Sequence, residues 1–167
     1  ILEGFHQSRA AVLAFCDSDG STGAADVVRL LEQVESGQCD CAIASRWLPE
    51  SNVPVPQPFR RRLASRIFNL AVRVLLGLRF RDTQCGAKAF SREAWNDIRE
   101  HIRAFGYHFD CEVLYRLKAA GRRICEMPVT WRDSGGSGIQ VGRDGLNMLR
   151  GLLAIRFENT PKKGSKE

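Results

Sequence analysis

No stretch of this chain approaches the roughly 18 to 20 consecutive apolar residues that a spanning helix needs, and its start lacks the charged-then-apolar layout of a signal peptide. Neither a membrane span nor a secretory leader is therefore read within these 167 residues. Histidine is scarce, and His6, His101 and His108 share no ligand spacing, which leaves them to surface or core roles rather than to a metal centre. Aromatic residues are 8% of the chain and form no stacking motif, which counts against single-stranded nucleic acid as the partner. No internal repeat is present.

Cysteine is not scarce, but Cys16, Cys39, Cys41, Cys85, Cys111 and Cys125 follow neither a zinc-knuckle nor a thioredoxin spacing. With 44% hydrophobic residues the chain can build an ordinary core without a disulfide framework, so reduced thiols in a cytosolic setting are expected. Lys and Arg outnumber Asp and Glu by 25 to 19, a net charge of +6 that suits an anionic partner: a phosphorylated substrate, an acidic membrane surface or nucleic acid.

The apolar run Ala11 to Cys16 stops at acidic and Gly residues, as a buried strand of a mostly parallel sheet does. Val27, Val28, Leu31 and Val34 repeat at helical spacing between residues 24 and 35, and Cys41 to Ala44 reads as a second buried strand. Together these predict a β-α-β unit, with ligands at the carboxyl ends of its strands. Four of the six prolines fall between Pro49 and Pro58, which predicts an irregular loop. From Phe59 to Leu78 a helix is predicted, with Leu63, Ile67, Leu70, Val74 and Leu78 on one stripe and Arg60, Arg61, Arg62, Arg66 and Arg73 around it. A turn over Asp82 to Gly86, helices near 92–98 and 111–120 with Gly121 as C-cap, a strand over 124–131, a flexible loop over 134–138 and a helix over 142–157 follow. The polar residues 158–167 are expected to be a disordered tail.

Asp17-Ser18-Asp19 closes the first strand, and two carboxylates one residue apart at such a turn can both reach a hard divalent cation. An EF-hand loop is excluded by Thr22 where that loop needs Gly and by Val28 where it needs Glu. By themselves these carboxylates read more readily as strand terminators. Around them stand Ala44-Ser45-Arg46, Arg61-x-x-x-Ser65-x-x-x-Asn69, Asp82-Thr83-Gln84-Cys85-Gly86-Ala87-Lys88, Phe109-Asp110-Cys111-Glu112 and Met127-Pro128-Val129-Thr130-Trp131.

In combination these segments resemble the inverting GT-A glycosyltransferases of the dolichyl-phosphate glucose and mannose synthase type, from about Gly4 to Arg156. The D-T-Q-C-G and F-D-x-E segments lean toward the glucose synthases. The resemblance implies an α/β GT-A domain over residues 1–157, Rossmann-like, with a mixed sheet flanked by helices. It also implies that the family's opening nucleotide-binding strand would precede Ile1, so further chain upstream is expected. Asp17 and Asp19 would bind Mg²⁺ or Mn²⁺ and the donor diphosphate, with Ser21 completing the metal shell. Arg46 would face the substrate phosphates, Arg61 and Ser65 would hold the acceptor phosphate, and Asp82 would lie at the sugar near the reacting carbon. Arg132 and Ser137 would be further phosphate contacts. The implied partners are a nucleotide sugar (UDP-glucose or GDP-mannose), a polyprenyl phosphate of the dolichyl or undecaprenyl kind, and the cytosolic face of a membrane. The sequence departs from the family at Ala87, His108 and Gly138, and the last removes a Lys from the 134–138 loop.

Two other readings stay open at this stage. A GT-A transferase with a soluble sugar acceptor would need a carboxylate base, for which Asp82 or Asp110 is the candidate. A basic module that binds nucleic acid without catalysis would rest on the positive charge alone.

Overall fold

A computed structural model describes residues 1–103, 106, 108–133 and 141–158, of which 141–144 and 158 are described as backbone only. The helix α1 (Leu2–Gln7) leads into strand β1 (Val12–Phe15), helix α2 (Ala24–Glu35) and strand β2 (Cys41–Ser45). Strand β3 (Asn52–Val55) and helix α3 (Phe59–Leu76) follow, then β4 (Lys88–Ser91), α4 (Arg92–Ile98), α5 (Phe109–Ala119), β5 (Ile124–Pro128), β6 (Thr130–Arg132) and α6 (Val141–Glu158).

The main sheet has the order β1-β4-β2-β5. β4 runs antiparallel to both β1 and β2, while β2 and β5 are parallel, so the sheet is mixed. The expected β-α-β unit is there, but its two strands are not neighbours, because β4 lies between them. That strand is absent from the sequence reading, which places only a turn before residue 92. Its four residues, Lys-Ala-Phe-Ser, are too few and too mixed to show a period, and it is tertiary pairing on both edges that makes them a strand. The proline-rich segment also differs from expectation. Residues 52–55 form an edge strand that pairs with β6 in a small second sheet, where Pro54 is tolerated because an edge has a side that needs no donor. The single strand expected over 124–131 is divided at Val129, and its two parts serve different sheets.

α2 covers one face of the main sheet, packing Leu30 and Val34 on Ala42, Ala44, Ala87 and Ala89. Small residues on this face let the helix lie close to the strands. The other face carries the larger side chains Leu13, Ile43 and Phe90, under Val72 and Leu76 of α3, Leu114 and Leu117 of α5, and Leu152 and Ile155 of α6. Leu78, predicted on the stripe of the long helix, is instead fully buried just beyond it. α3 ends at Gly77, whose φ of 68° suits glycine, and Lys118 Nζ donates to the Gly77 carbonyl at 2.6 Å.

The expectation of six reduced thiols is corrected at one pair: Cys39 and Cys125 are joined, with Cα atoms 6.0 Å apart. β2 and β5 are adjacent and in register from Cys41 opposite Ile124, which brings the segment just before β2 against the second residue of β5. Residues 159–167 of the expected tail, and Ser137 and Gly138 of the 134–138 loop, lie outside the described residues.

Arg92 ties the start of the chain to the sheet. Its guanidinium donates to the carbonyls of Phe5, Ser8 and Ala10 at 2.8–3.0 Å, and its own N–H donates to the Ala11 carbonyl. Arg92→Ala leaves the first three carbonyls to water and is expected to lower stability by about 2 kcal/mol in urea unfolding. Arg92→Lys should recover only part of it, since a single ammonium cannot reproduce the fork.

Candidate active site

The main sheet presents its charged side chains at the end where β1 stops. Asp17 N donates to the Gly86 carbonyl at 2.9 Å, extending the β1–β4 pairing beyond Phe15 opposite Lys88. The Asp17 side chain lies over Gly86, so closely that a Cβ on residue 86 would fall within its carboxylate. Two residues on, Asp19 is folded onto Ser21: Ser21 N donates to Oδ1 at 2.9 Å and Ser21 Oγ to Oδ2 at 2.8 Å. Ser21, expected in a metal shell, is buried and braces the second carboxylate from behind.

Beneath this turn lies Lys88, a fully buried lysine. Its Nζ donates to the Cys85 carbonyl at 2.7 Å and lies 2.9 Å from Asp110 Oδ1. Burial would pull its pKa down, but the Asp110 carboxylate outweighs burial and the ammonium is raised above its ordinary value. Asp17 is also raised, though for a carboxylate this disfavours the charge. Partial burial of its carboxylate, then the charges of Asp19 and Asp110, push it above the usual carboxylate range, while Lys88 and Arg46 only partly offset them. A carboxylate raised by burial and by neighbouring carboxylates is one that a divalent cation would relieve.

Arg46, at the end of β2, grips Asp82 with both prongs of its guanidinium, Nε to Oδ2 at 2.7 Å and Nη2 to Oδ1 at 2.9 Å. Arg46 N adds a third bond at 3.1 Å. Burial alone would raise Asp82, but Arg46 beside it overrides burial and holds the carboxyl below its ordinary value. The Asp82 loop is itself clamped. Glu126 on β5 accepts the N–H groups of Arg81 and Asp82 at 3.0 and 2.7 Å, and Asn69 on α3 donates to the carbonyls of Phe80 and Arg81 at 3.1 and 2.7 Å. The guanidinium of Arg46 also lies over Trp131, 5.2 Å from the ring centre.

Arg46, Arg61, Ser65, Phe68, Gln84 and Met148 line one cleft of about 140 Å³. Arg61 is held at 3.6 Å from Asp133. Arg132 is exposed on β6, and its N–H donates to the Ser21 carbonyl at 3.0 Å, which brings it beside the acidic turn. Most of the residues singled out in the sequence therefore meet at one end of the sheet. Gly86, Lys88 and Glu126 belong to the same place, although nothing in the sequence assigns them a role there. A lysine three residues after a cysteine, or a glutamate in a strand, gives no sign of its function until the fold closes around it. Asp110 and Glu112, both in the Phe109–Glu112 segment at the start of α5, divide. Asp110 faces Lys88, while Glu112 is buried, accepts Arg103 N at 2.8 Å and pairs with Arg116.

Two carboxylates suit Mg²⁺ or Mn²⁺ bound together with a substrate diphosphate, since such ions keep several water or phosphate oxygens in their shell. Among the described residues no cluster of three or more acidic, His or Cys side chains is placed to enclose a metal. The donor set thus fits a metal shared with substrate rather than a closed structural site. Burial pushes the thiols of Cys85 and Cys111 up to about 11 and about 12, which leaves both protonated and poor nucleophiles at neutral pH.

An α/β domain with a mixed sheet flanked by helices is the architecture of the GT-A glycosyltransferases. No family model matches the chain. Glycosyltransferase AglD of Haloferax volcanii is 38% identical over 156 residues, 93% of this chain and 25% of that protein. The undecaprenyl-phosphate mannosyltransferase of Micrococcus luteus is 33% identical over 88% of this chain and 62% of its own length. The human dolichyl-phosphate beta-glucosyltransferase is 30% identical over 92% of this chain and 49% of its own length. Over most of its length the chain is similar to these glycosyltransferases, two of which are named for a polyprenyl phosphate, and it spans from a quarter to about three fifths of the three relatives' lengths.

Removing one partner of the buried Arg46–Asp82 pair leaves the other charge uncompensated, so Asp82→Ala is expected to cost about 3–5 kcal/mol in urea unfolding. The pH dependence carries a sign. Because Asp82 has a lowered pKa in the fold, its contribution is complete above the unfolded value of about 4 and is lost as pH falls through the lower folded value. Asp82→Asn should lack that acid-limb loss.

Proposed function

We propose that this protein transfers a hexose, glucose in preference to mannose, from a nucleotide diphosphate sugar to a polyprenyl phosphate, with inversion at the anomeric carbon. The observation that carries the reading is the cleft that joins Arg46, Arg61 and Ser65, with Arg46 near enough to Asp17 for its charge to act on that carboxylate. An arginine fork with a neighbouring hydroxyl suits a phosphate monoester, and a carboxylate turn suits the metal of a diphosphate.

In this reading the acceptor arrives as an anion. One of its phosphate oxygens forms the new bond to the anomeric carbon as the bond to the diphosphate oxygen breaks on the opposite face, and no proton has to be removed. The chain's tasks are then positioning and charge stabilisation. Arg61 and Ser65 hold the acceptor phosphate, and Asp17 and Asp19 hold the divalent ion. A divalent ion held there would supply charge neutralisation at the leaving diphosphate. Asp82 orients Arg46 toward the phosphates while standing close to the sugar. A soluble sugar acceptor is supported less well, because it needs a base, and a carboxylate held below its ordinary pKa by two guanidinium bonds is a weak one. Leaning toward glucose rests on the D-T-Q-C-G and F-D-x-E segments.

The membrane part of the reading is supported by an outward-facing apolar surface. Phe59, Leu63, Ile67, Leu70 and Val74 of α3 are exposed, as are Leu146, Leu149, Leu153 and Phe157 of α6, which packs beside it. Arg60, Arg73, Arg150 and Arg156 are exposed on the same two helices. Apolar side chains interspersed with arginines suit the interface of an anionic bilayer, here the cytosolic face. No helix of the described residues is long and apolar enough to cross a membrane.

The reaction is tested by following labelled hexose from UDP-glucose or GDP-mannose into polyprenyl phosphate with Mg²⁺ or Mn²⁺ supplied. Transfer is expected from UDP-glucose, reduced by about a hundredfold or more in Asp19→Ala. Transfer from GDP-mannose alone would change the sugar and keep the mechanism, whereas unaltered transfer by the variant would remove Asp19 from the metal. In flotation with vesicles containing anionic lipid, Ile67→Glu with Val74→Glu is expected to lower the bound fraction severalfold. Equal flotation of variant and parent would sink the membrane assignment of α3.

A further inference from the structure

We propose that Gly86 is a positioning residue for Asp17: the space left by its missing side chain is the seat in which the Asp17 carboxylate lies. Glycine is often retained for a left-handed backbone, as at Gly20 with φ of 71° on the same turn, but Gly86 is not among the positive-φ glycines. Its backbone conformation is open to other residues. What it supplies is room, because the atoms nearest to a Cβ built at this position are all those of the Asp17 carboxylate.

The backbone around Gly86 cannot retreat to make that room. Its carbonyl accepts Asp17 N at 2.9 Å, the Ala87 carbonyl accepts Ala44 N at 3.0 Å, and the Cys85 carbonyl accepts Lys88 Nζ at 2.7 Å. Lys88 is in turn fixed to Asp110 on α5. Three consecutive carbonyls are thus tied to β1, to β2 and to a buried ammonium. An alanine at this position would therefore be accommodated by rotating the short Asp17 side chain off the strand. That carboxylate would swing away from the turn it shares with Asp19, and the fold would remain. This inference rests on the reading of Asp17 as a metal-holding residue for its functional consequence, but not for the seat itself.

The test combines a crystal structure of Gly86→Ala with Mn²⁺ titration followed by the electron paramagnetic resonance of free Mn²⁺. The expected result is an unchanged main chain with the Asp17 carboxylate rotated away, and Mn²⁺ binding weakened about tenfold or more, the usual effect of losing the support of a metal ligand. On an Asp17→Ala background, Gly86→Ala should produce no further loss of Mn²⁺ affinity. A carboxylate that keeps its place beside the added methyl group, or a Gly86→Ala protein that binds Mn²⁺ like the parent while Asp17→Ala does not, overturns the proposal. Should the parent itself take up no Mn²⁺, the metal reading fails, and a displaced carboxylate in the crystal still establishes the seat. Should Gly86→Ala fail to fold, refolding in the double variant with Asp17→Ala supports the seat, and failure of both variants refutes it.

Discussion

The arrangement of this domain is governed by the requirement that charge taken out of water be matched inside the protein. Asp82, Lys88 and the guanidinium of Arg46 are all nearly inaccessible, and isolated charges at such depth would be severely unfavourable. Each is therefore paired, Arg46 with Asp82 and Lys88 with Asp110. The pairs join parts of the chain far apart in sequence: the end of β2 to the loop before β4, and β4 to the start of α5. Replacing them by hydrocarbon would suit stability as well or better. Their presence at the end of the sheet that carries the acidic turn is better explained by a site whose groups must be held in fixed places, as the proposed function requires, than by folding.

The insertion of β4 between β1 and β2 makes this arrangement possible. An antiparallel strand at that place puts residue 86 opposite residue 17, and residue 88 opposite residue 15, on one face of the sheet. A space, a carboxylate and a buried ammonium thereby meet where β1 ends. Had β1 and β2 been direct neighbours, as in a simple β-α-β unit, Asp17 would border Ser45 and Arg46 and have no such floor. The same strand brings the Asp82 loop back under Arg46, and Glu126 from β5 fixes that loop through two backbone N–H groups. The groups that hold the site's side chains in place thus come from β4, from β5 and from the loop that precedes β4.

What could be read from the sequence follows from this. The elements with a strong local period were legible: α2 spans the residues its apolar repeat predicted, and the α3 repeat failed only at its last turn, where Gly77 stops the helix. β4 was not, because a four-residue strand owes its existence to partners on both sides. The loop of prolines hid an edge strand for a similar reason. At the site, the paired carboxylates and the arginines were visible as residue types suited to phosphate and metal. Gly86 and Lys88 stood within a quoted motif without a role, since a space and a buried charge acquire meaning only from what lies opposite. The Cys39–Cys125 pair was invisible because it depends on the register of two parallel strands, not on any spacing along the chain.

α3 links the two halves of the proposed function through its own geometry. Ser65 and Arg61, one turn apart, face the cleft, while Leu63, Ile67, Leu70 and Val74 point outward. An acceptor that is a phosphate on a hydrocarbon chain has the same division, with a charged head that belongs in the cleft and a tail that belongs in lipid. A rigid helix with both faces in use sets the height of the phosphate relative to the bilayer by its own width, about 10 Å with side chains. The head could then reach Arg61 without the tail having to leave the membrane, so that little apolar surface would be exposed to water when the acceptor binds. On this view the outward apolar stripe of α3 is no defect of packing but half of the acceptor site, with the bilayer as its other wall.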